Sequence, residues 1–249
     1  MDAFYSLPRF SGKLMSAQVS ALLMKELKAG IFSQSDKLPS EMELAQRLGV
    51  SRTVIRDSLS DIEREGFVER VRGIGTVINR EVVNMHSRLD LKIEYNQLIS
   101  ESGHCPNVDG VHFCIQPAGA SVGERLAISP EDTVVVCKKR ILADQQPVVY
   151  SIDYLSLALF AGIDPQEINW AEPIFDILER YCGLMILTDV TEICPVIGSS
   201  EIRRLLDCPQ DKALLQMEEL SYSKPSRPIL YSQAFYTDFF RFRILRKKF

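Results

Sequence analysis

The chain has 249 residues, 46% of them hydrophobic and 25% charged, with a formal net charge of −4. That length suits two domains, and that balance suits a globular protein with a sizeable core rather than one that coats nucleic acid over its whole surface. No apolar run approaches the roughly 18 residues of a membrane-spanning helix, and an N-terminus holding Asp2, Pro8 and Arg9 lacks the apolar core of a signal peptide.

In chain order, residues 1–13 read as a loose arm. Leu14, Val19, Leu22, Leu23 and Leu27 recur at helical spacing up to Gly30, which predicts a helix over 14–29. Ser40 followed by Glu43 is a capping-box pattern, and Leu44, Ala45 and Leu48 give the helix behind it an apolar stripe. Gly49 supplies a tight turn and Ser51 a cap for the next helix, in which Ile55, Leu59 and Ile62 face one way. Arg52, Thr53 and Arg56 fall off that stripe beside the helix N-terminus, where the second helix of a helix-turn-helix meets base edges in the major groove. An arginine pair at i,i+4 repels itself slightly, which favours an anionic partner. Two short strands, Phe67–Val71 and Thr76–Asn79, follow around Arg72-Gly73-Ile74-Gly75, so the three helices and hairpin make a winged helix. Its tip, with Arg72 and Gly73, is suited to a minor groove or a phosphate row.

The charge changes character along the chain. Residues 1–80 hold 12 Lys and Arg against 10 Asp and Glu, whereas residues 81–249 hold 17 against 23. DNA contact is therefore expected in the first part alone. Residues 80–90 are polar and weakly patterned, a linker by composition, and Leu91–Ser102 has helical spacing. Beyond this lies an internal repeat. Leu126, Pro130 and Asp132 recur as Leu205, Pro209 and Asp211, 79 residues on, and Pro147, Tyr150 and Ser151 recur as Pro228, Tyr231 and Ser232, 81 residues on. Each copy reads as helix end, loop, strand, turn, strand, so the two copies predict one curved, mainly antiparallel sheet with pseudo-twofold symmetry and a cleft where they meet. The alignment sets Glu218 opposite Lys139, and Ser232 opposite Ser151.

Two stretches resemble known families. LPSEMELAQRLGVSR, the following TVIRDSL and the GIGT of the hairpin are similar to the N-terminal domain of the GntR family of bacterial transcription regulators, over roughly residues 14–79. The resemblance implies DNA contacts by Ser51, Arg52, Thr53, Arg56, Arg72 and Gly73. Met42 and Ile74 depart from it, standing where relatives commonly carry a cation. The repeated units, Ile174–Tyr181 with Gly183 behind it, and the closing Asp238-Phe-Phe-Arg-Phe-Arg-Ile resemble the UTRA effector domain of the HutC subgroup, over about residues 91–245. That implies a chorismate lyase-like α/β domain that binds a small metabolite and pairs two subunits. The expected architecture is thus α+β: a winged helix-turn-helix domain at 1–79, a linker at 80–90 and an effector-binding, dimerising domain at 91–249.

In relatives that bind phosphorylated sugars, an R-x-R pair and a glutamate hold the ligand; the positions here are Lys139, Ile141 and Ser151, with Thr188 and Tyr236 near two further ligand positions. Asp153 shares a strand face with Ser151 and is suited to accept from hydroxyls or an amine. Lys139, Ser151, Asp153, Thr188, Ser232 and Tyr236 are therefore the effector-site candidates. Blander readings stand beside them: Lys139 as a solvated strand charge, Asp153 as a structural acceptor, Tyr150 and Tyr231 as core aromatics with satisfied hydroxyls. The six cysteines show no C-x-x-C pair and read as reduced core thiols of a cytoplasmic protein, with no metal site. No G-x-S-x-G, H-E-x-x-H or phosphate-cradling loop occurs. The expectation is a cofactor-free, non-enzymatic, dimeric repressor that binds a pseudo-palindromic operator in double-stranded DNA, responds to a small polar effector and makes no membrane contact. Retained lyase-like chemistry, or a purely structural dimerisation domain, are the alternatives.

Overall fold

The computed structural model describes residues 12–91, 93–223 and 227–247, so most of the arm expected at 1–13 lies outside the described residues. The chain divides into two compact units, one of residues up to Met85 together with Leu245–Phe249, the other of His86–Ile244.

The first unit opens with α1 (Gly12–Ala29), followed by α2 (Glu41–Leu48) and α3 (Arg52–Arg64). Val19, Leu23 and Leu27 of α1 are buried, but Leu22 is 41% exposed, so the buried face is narrower than the apolar stripe. Ser40 and Glu43 form the capping box: Glu43 N donates to Ser40 Oγ at 3.3 Å and Ser40 N donates to Glu43 Oε2 at 2.9 Å. Gly49 closes α2 at φ 65°, a left-handed conformation that penalises a side chain. Ser51 Oγ then accepts from Val54 N at 3.3 Å to start α3. Ile55, Leu59 and Ile62 are at most 1% exposed, and the buried Ser58 donates to Ser16 O at 2.9 Å, stitching α3 to α1. At the far end of α3, Lys247 Nζ donates to the carbonyls of Glu63 (3.0 Å) and Arg64 (2.7 Å), a cation on the negative end of the helix dipole.

The wing is β1 (Val68–Val71) paired with β2 (Gly75–Ile78), antiparallel from Val68↔Ile78 to Val71↔Gly75. Arg70 Nε donates to Glu63 Oε2 at 2.8 Å, which fastens the wing to α3. The segment that composition marks as a linker begins with a helical turn, α4 (Arg80–Val83), whose Val82 and Val83 are buried. Arg80 donates to the carbonyls of Leu27 (3.1 Å) and Ser35 (3.0 Å), so this stretch completes the first unit, and the structural division falls after Met85.

The second unit contains α5 (Tyr95–Glu101), β3 (Pro106–Pro117), α6 (Gly119–Leu126), β4 (Thr133–Ala143), β5 (Gln146–Ser156), α7 (Ile174–Cys182), β6 (Thr188–Val196), α8 (Ser200–Leu205), β7 (Leu214–Ser223) and β8 (Arg227–Tyr236). Its six strands form one antiparallel sheet in the order β3-β4-β5-β8-β7-β6. The repeat is visible in that order: a strand, a helix and a hairpin build each half, and β5 meets β8 at the centre. Ile152 pairs with Gln233, its own repeat counterpart 81 residues on, so the pseudo-twofold axis passes through that pair. One face packs on α6 and α8 through Val134, Val136, Tyr231, Tyr150 and Phe235. The opposite face packs on α5 and α7 through Ile141, Val149, Ala234, Cys137 and Leu155.

The register corrects one detail of the alignment. Lys139 pairs with Ser151, and the strand partner of Ser232 is Glu219, so Glu219 rather than Glu218 is the counterpart of Lys139. The two hairpins share an irregularity at equivalent positions, Ile141/Leu142 and Ser221/Tyr222, so the offset inside these strands is 80, one more than between Asp132 and Asp211. A one-residue slip moves a side chain to the other face, so the correction decides which carboxylate faces α5 and α7.

Candidate nucleic-acid interface and ligand cavity

The start of α3 presents Ser51, Arg52 and Thr53 to solvent, with Arg56 one turn on. The Arg52 and Arg56 side chains are 62% and 58% exposed and lie 3.9 and 3.6 Å from the same oxygen, Glu41 Oε2. Those distances exceed a good hydrogen bond, and exposed pairs of this kind contribute about 0–1 kcal/mol. Glu41 therefore gathers the two guanidinium groups without consuming their donors. At the wing tip Arg72 and Gly73 are exposed, and Gly73 (φ 79°) and Gly75 (φ 104°) hold turn conformations that favour glycine. Met42 and Ile74 are 64% and 53% exposed, apolar groups on open surface where a cation was expected from the resemblance.

A cavity of about 320 Å³ lies on the α5 and α7 side of the second unit's sheet. Its floor is a cross-strand row, Asp153 on β5, Ser232 on β8, Glu219 on β7 and Thr191 on β6, each paired with the next in register. Its walls come from residues 88–91 and 93–95 at the entry to α5, from Ile174 and Phe175 at the start of α7, and from Tyr236 and Phe242.

Of the six effector candidates, Asp153, Thr188, Ser232 and Tyr236 line this cavity. Ser151 stands just behind: fully buried, its Oγ donates to Asp153 Oδ2 at 3.1 Å, while Ser232 Oγ donates to Asp153 Oδ1 at 2.6 Å. The two serines are repeat counterparts, brought onto one carboxylate by the pseudo-twofold. Lys139 is set apart. It is 3% exposed, so it is not a solvated strand charge, and its Nζ donates to the carbonyls of Glu172 (2.7 Å) and Trp170 (3.4 Å), pinning the loop before α7. Ile141, the next position of the phosphate-binding pattern, is 1% exposed in the apolar core. Tyr231 is the core aromatic expected, its hydroxyl donating to Glu218 Oε2 at 3.0 Å.

The sequence reading missed Glu219, Asp189, Arg88 and Tyr95, all of which line the cavity. Glu219 was hidden because the repeat offset grows by one residue between Asp211 and β7, and Arg88 by its place in a polar, unpatterned stretch. Hydroxyls seat the acids: Thr191 Oγ1 lies 3.5 Å from Glu219 Oε1, and Ser221 Oγ donates to Asp189 Oδ2 at 3.2 Å. Arg88 is 4% exposed and pairs with Asp90. The rings of Tyr95 and Tyr236 meet edge-on, centroids 6.0 Å apart. Burial first, then the neighbouring phenol and the charges of Glu219 and Asp153, hold Tyr95 well above the usual phenol range. Burial and Glu219 do the same to Tyr236, so both hydroxyls keep their protons at neutral pH. Burial, reinforced by Asp153, also pushes the Cys137 thiol up to about 12, which makes it an unreactive core group. All six cysteines are free thiols. Among the described residues no helix is long and apolar enough to cross a membrane.

Both units match known families. Residues 15–78 match the model of bacterial regulatory proteins of the gntR family, and residues 101–238 match that of the UTRA domain. YurK, an HTH-type transcriptional regulator of Bacillus subtilis, is 27% identical over 220 residues, 86% of this chain and 88% of its own. MngR of Escherichia coli, the mannosyl-D-glycerate transport/metabolism system repressor, is 25% identical over 237 residues, 95% of this chain and 97% of its own. Among solved structures, YydK of Bacillus subtilis shares the fold with a TM-score of 0.72 at 17% identity, covering 94% of this chain and 99% of that one. PhnF of Mycobacterium smegmatis does so with a TM-score of 0.59 at 19% identity and the same coverage.

Proposed function

Since this chain belongs to the GntR family of bacterial regulatory proteins and carries a UTRA domain, and is thus a DNA-binding transcription regulator with a ligand-binding effector domain, we propose that it acts as a dimeric cytoplasmic repressor whose hold on DNA is set by a small polar metabolite in the 320 Å³ cavity. The observation that carries the DNA half is the pair of exposed arginines, Arg52 and Arg56, gathered at the N-terminus of α3. In this reading they meet base edges, with guanine the usual arginine target, while Ser51 and Thr53 meet phosphates or adjoining bases. Arg72 and the Gly73 backbone lie along the neighbouring backbone or minor groove. Two copies related by a twofold read a pseudo-palindrome with half-sites about one helical turn, roughly 34–36 Å, apart. Relatives that are repressors by name, MngR and NagR of Bacillus subtilis, support repression as the mode.

The effector half rests on the enclosed row of Asp153, Ser232 and Glu219. A ligand there shifts DNA affinity to the extent that it binds two subunit arrangements differently. We read the cavity as a binding site rather than a catalytic one, since Asp153 is held by two serines and none of the three histidines lines the cavity. The test is fluorescence anisotropy of the full-length protein on a duplex from upstream of its own gene, with and without each member of a metabolite library. A compound that stabilises the protein and moves the DNA affinity supports the reading; product formation from chorismate-like substrates overturns its non-enzymatic part. At 100 times its dissociation constant such a compound stabilises the fold by about 2.7 kcal/mol.

A further inference from the structure

We infer that the ligand of this cavity is an organic amine, seated with its ammonium group against Asp153, and not a phosphate ester. The inference rests on the cavity being the effector site and names the chemistry it takes. Asp153 lines the cavity yet is only 2% exposed. Its two oxygens accept from Ser232 and Ser151, and no ion pair within 4.0 Å joins it to a described residue. A buried carboxylate without a counter-ion is costly, and two neutral hydroxyls fill only about half of its acceptor positions. An ammonium brings the missing charge and three donors.

The surroundings agree. Glu219 adds a second carboxylate to the same row, and Asp189 lies one step further along β7 and β6, beside Ser221. Arg88, the cation among the described lining residues, pairs with Asp90. Tyr95, Tyr236, Phe175 and Phe242 supply the aromatic faces on which cations are also favoured. The groups a phosphate needs point elsewhere. Lys139 is engaged by the carbonyls of Trp170 and Glu172, and Ile141 fills the next position with hydrocarbon. A doubly charged phosphate on this floor meets Asp153, a like-charge contact that disfavours it.

The test titrates matched sets into the full-length protein: 1-amino-1-deoxysorbitol, sorbitol and sorbitol 6-phosphate; glucosamine, glucose and glucose 6-phosphate; and putrescine as an amine without hydroxyls. Melting temperature and calorimetric affinity are read for wild type, Asp153→Asn and Thr188→Trp, which crowds the lining. At least one amine is expected to raise the melting temperature of wild type and to bind Asp153→Asn at least tenfold more weakly. A native far-ultraviolet circular dichroism spectrum and a cooperative melt of ligand-free Asp153→Asn show that the variant is folded. The inference is overturned if a phosphate ester binds and no amine does, if an amine binds Asp153→Asn as well as wild type, or if nothing in the sets binds. A compound that binds wild type and Thr188→Trp equally sits elsewhere, and then the cavity itself is lost as the site, a failure distinct from the wrong charge.

Discussion

Arg52 and Ser58 show what single residues of one helix do on opposite faces. Arg52 is held out by the cap at Ser51 and lies loosely beside Glu41. Its replacement by Ala is expected to cost about 1–3 kcal/mol of operator binding and to relax selectivity at one base pair, measured by anisotropy against single-position operator variants. Ser58 is fully buried and bonded to Ser16 O and Val54 O. Ser58→Ala is expected to leave DNA selectivity unchanged and to lower stability by about 1 kcal/mol in urea unfolding. The exposure of Arg52 was legible from spacing alone, because a helical period says which residues leave the core. Lys139 was not. Strand parity gives the face of a side chain but not its partner, and the carbonyls of Trp170 and Glu172 that engage it come from a loop more than 30 residues on.

At the scale of elements, two local devices set the winged helix. The Ser40–Glu43 box starts α2, and Ser40→Ala is expected to lower stability by about 0.5–2 kcal/mol in thermal or urea melts. The wing is tied to α3 by Glu63 and Arg70. Burial works to raise the Glu63 carboxyl, but hydrogen bonds from the Arg70 side chain and backbone, with the charges of Arg70 and Lys247, leave it below its ordinary value. A carboxylate so lowered contributes stability that is complete above its unfolded value and is lost as the pH falls through its folded value. Acid unfolding of Glu63→Gln is therefore expected to be less steep in that acidic range than that of wild type, with no difference in slope near neutrality. At the wing tip, Arg72→Ala is expected to weaken all operator sequences alike and to reduce the salt slope of binding by about one. Capping and turn chemistry made these elements readable in advance. The offset of Glu219 was not readable, because one extra residue in the loop before β7 leaves no mark in the strand pattern.

For the whole molecule, the duplicated hairpins explain why a cavity exists where it does. The pseudo-twofold through Ile152 and Gln233 brings Ser151 and Ser232 together, and a departure from that symmetry, Asp153 where the other copy has Ala234, supplies the charge. The repeat and the acidity of residues 81–249 were plain in the sequence; the convergence on Asp153 required the register. In the proposed function, the exposed N-terminus of α3 reads a twofold-related DNA site. That reading is tested most directly by selection from a randomised duplex pool, using the full-length protein beside an Arg52→Ala, Arg56→Ala double variant. Wild type is expected to enrich a pseudo-palindrome with half-sites about one helical turn apart, and the variant none; enrichment of the same site by both proteins would rule out base reading by Arg52 and Arg56.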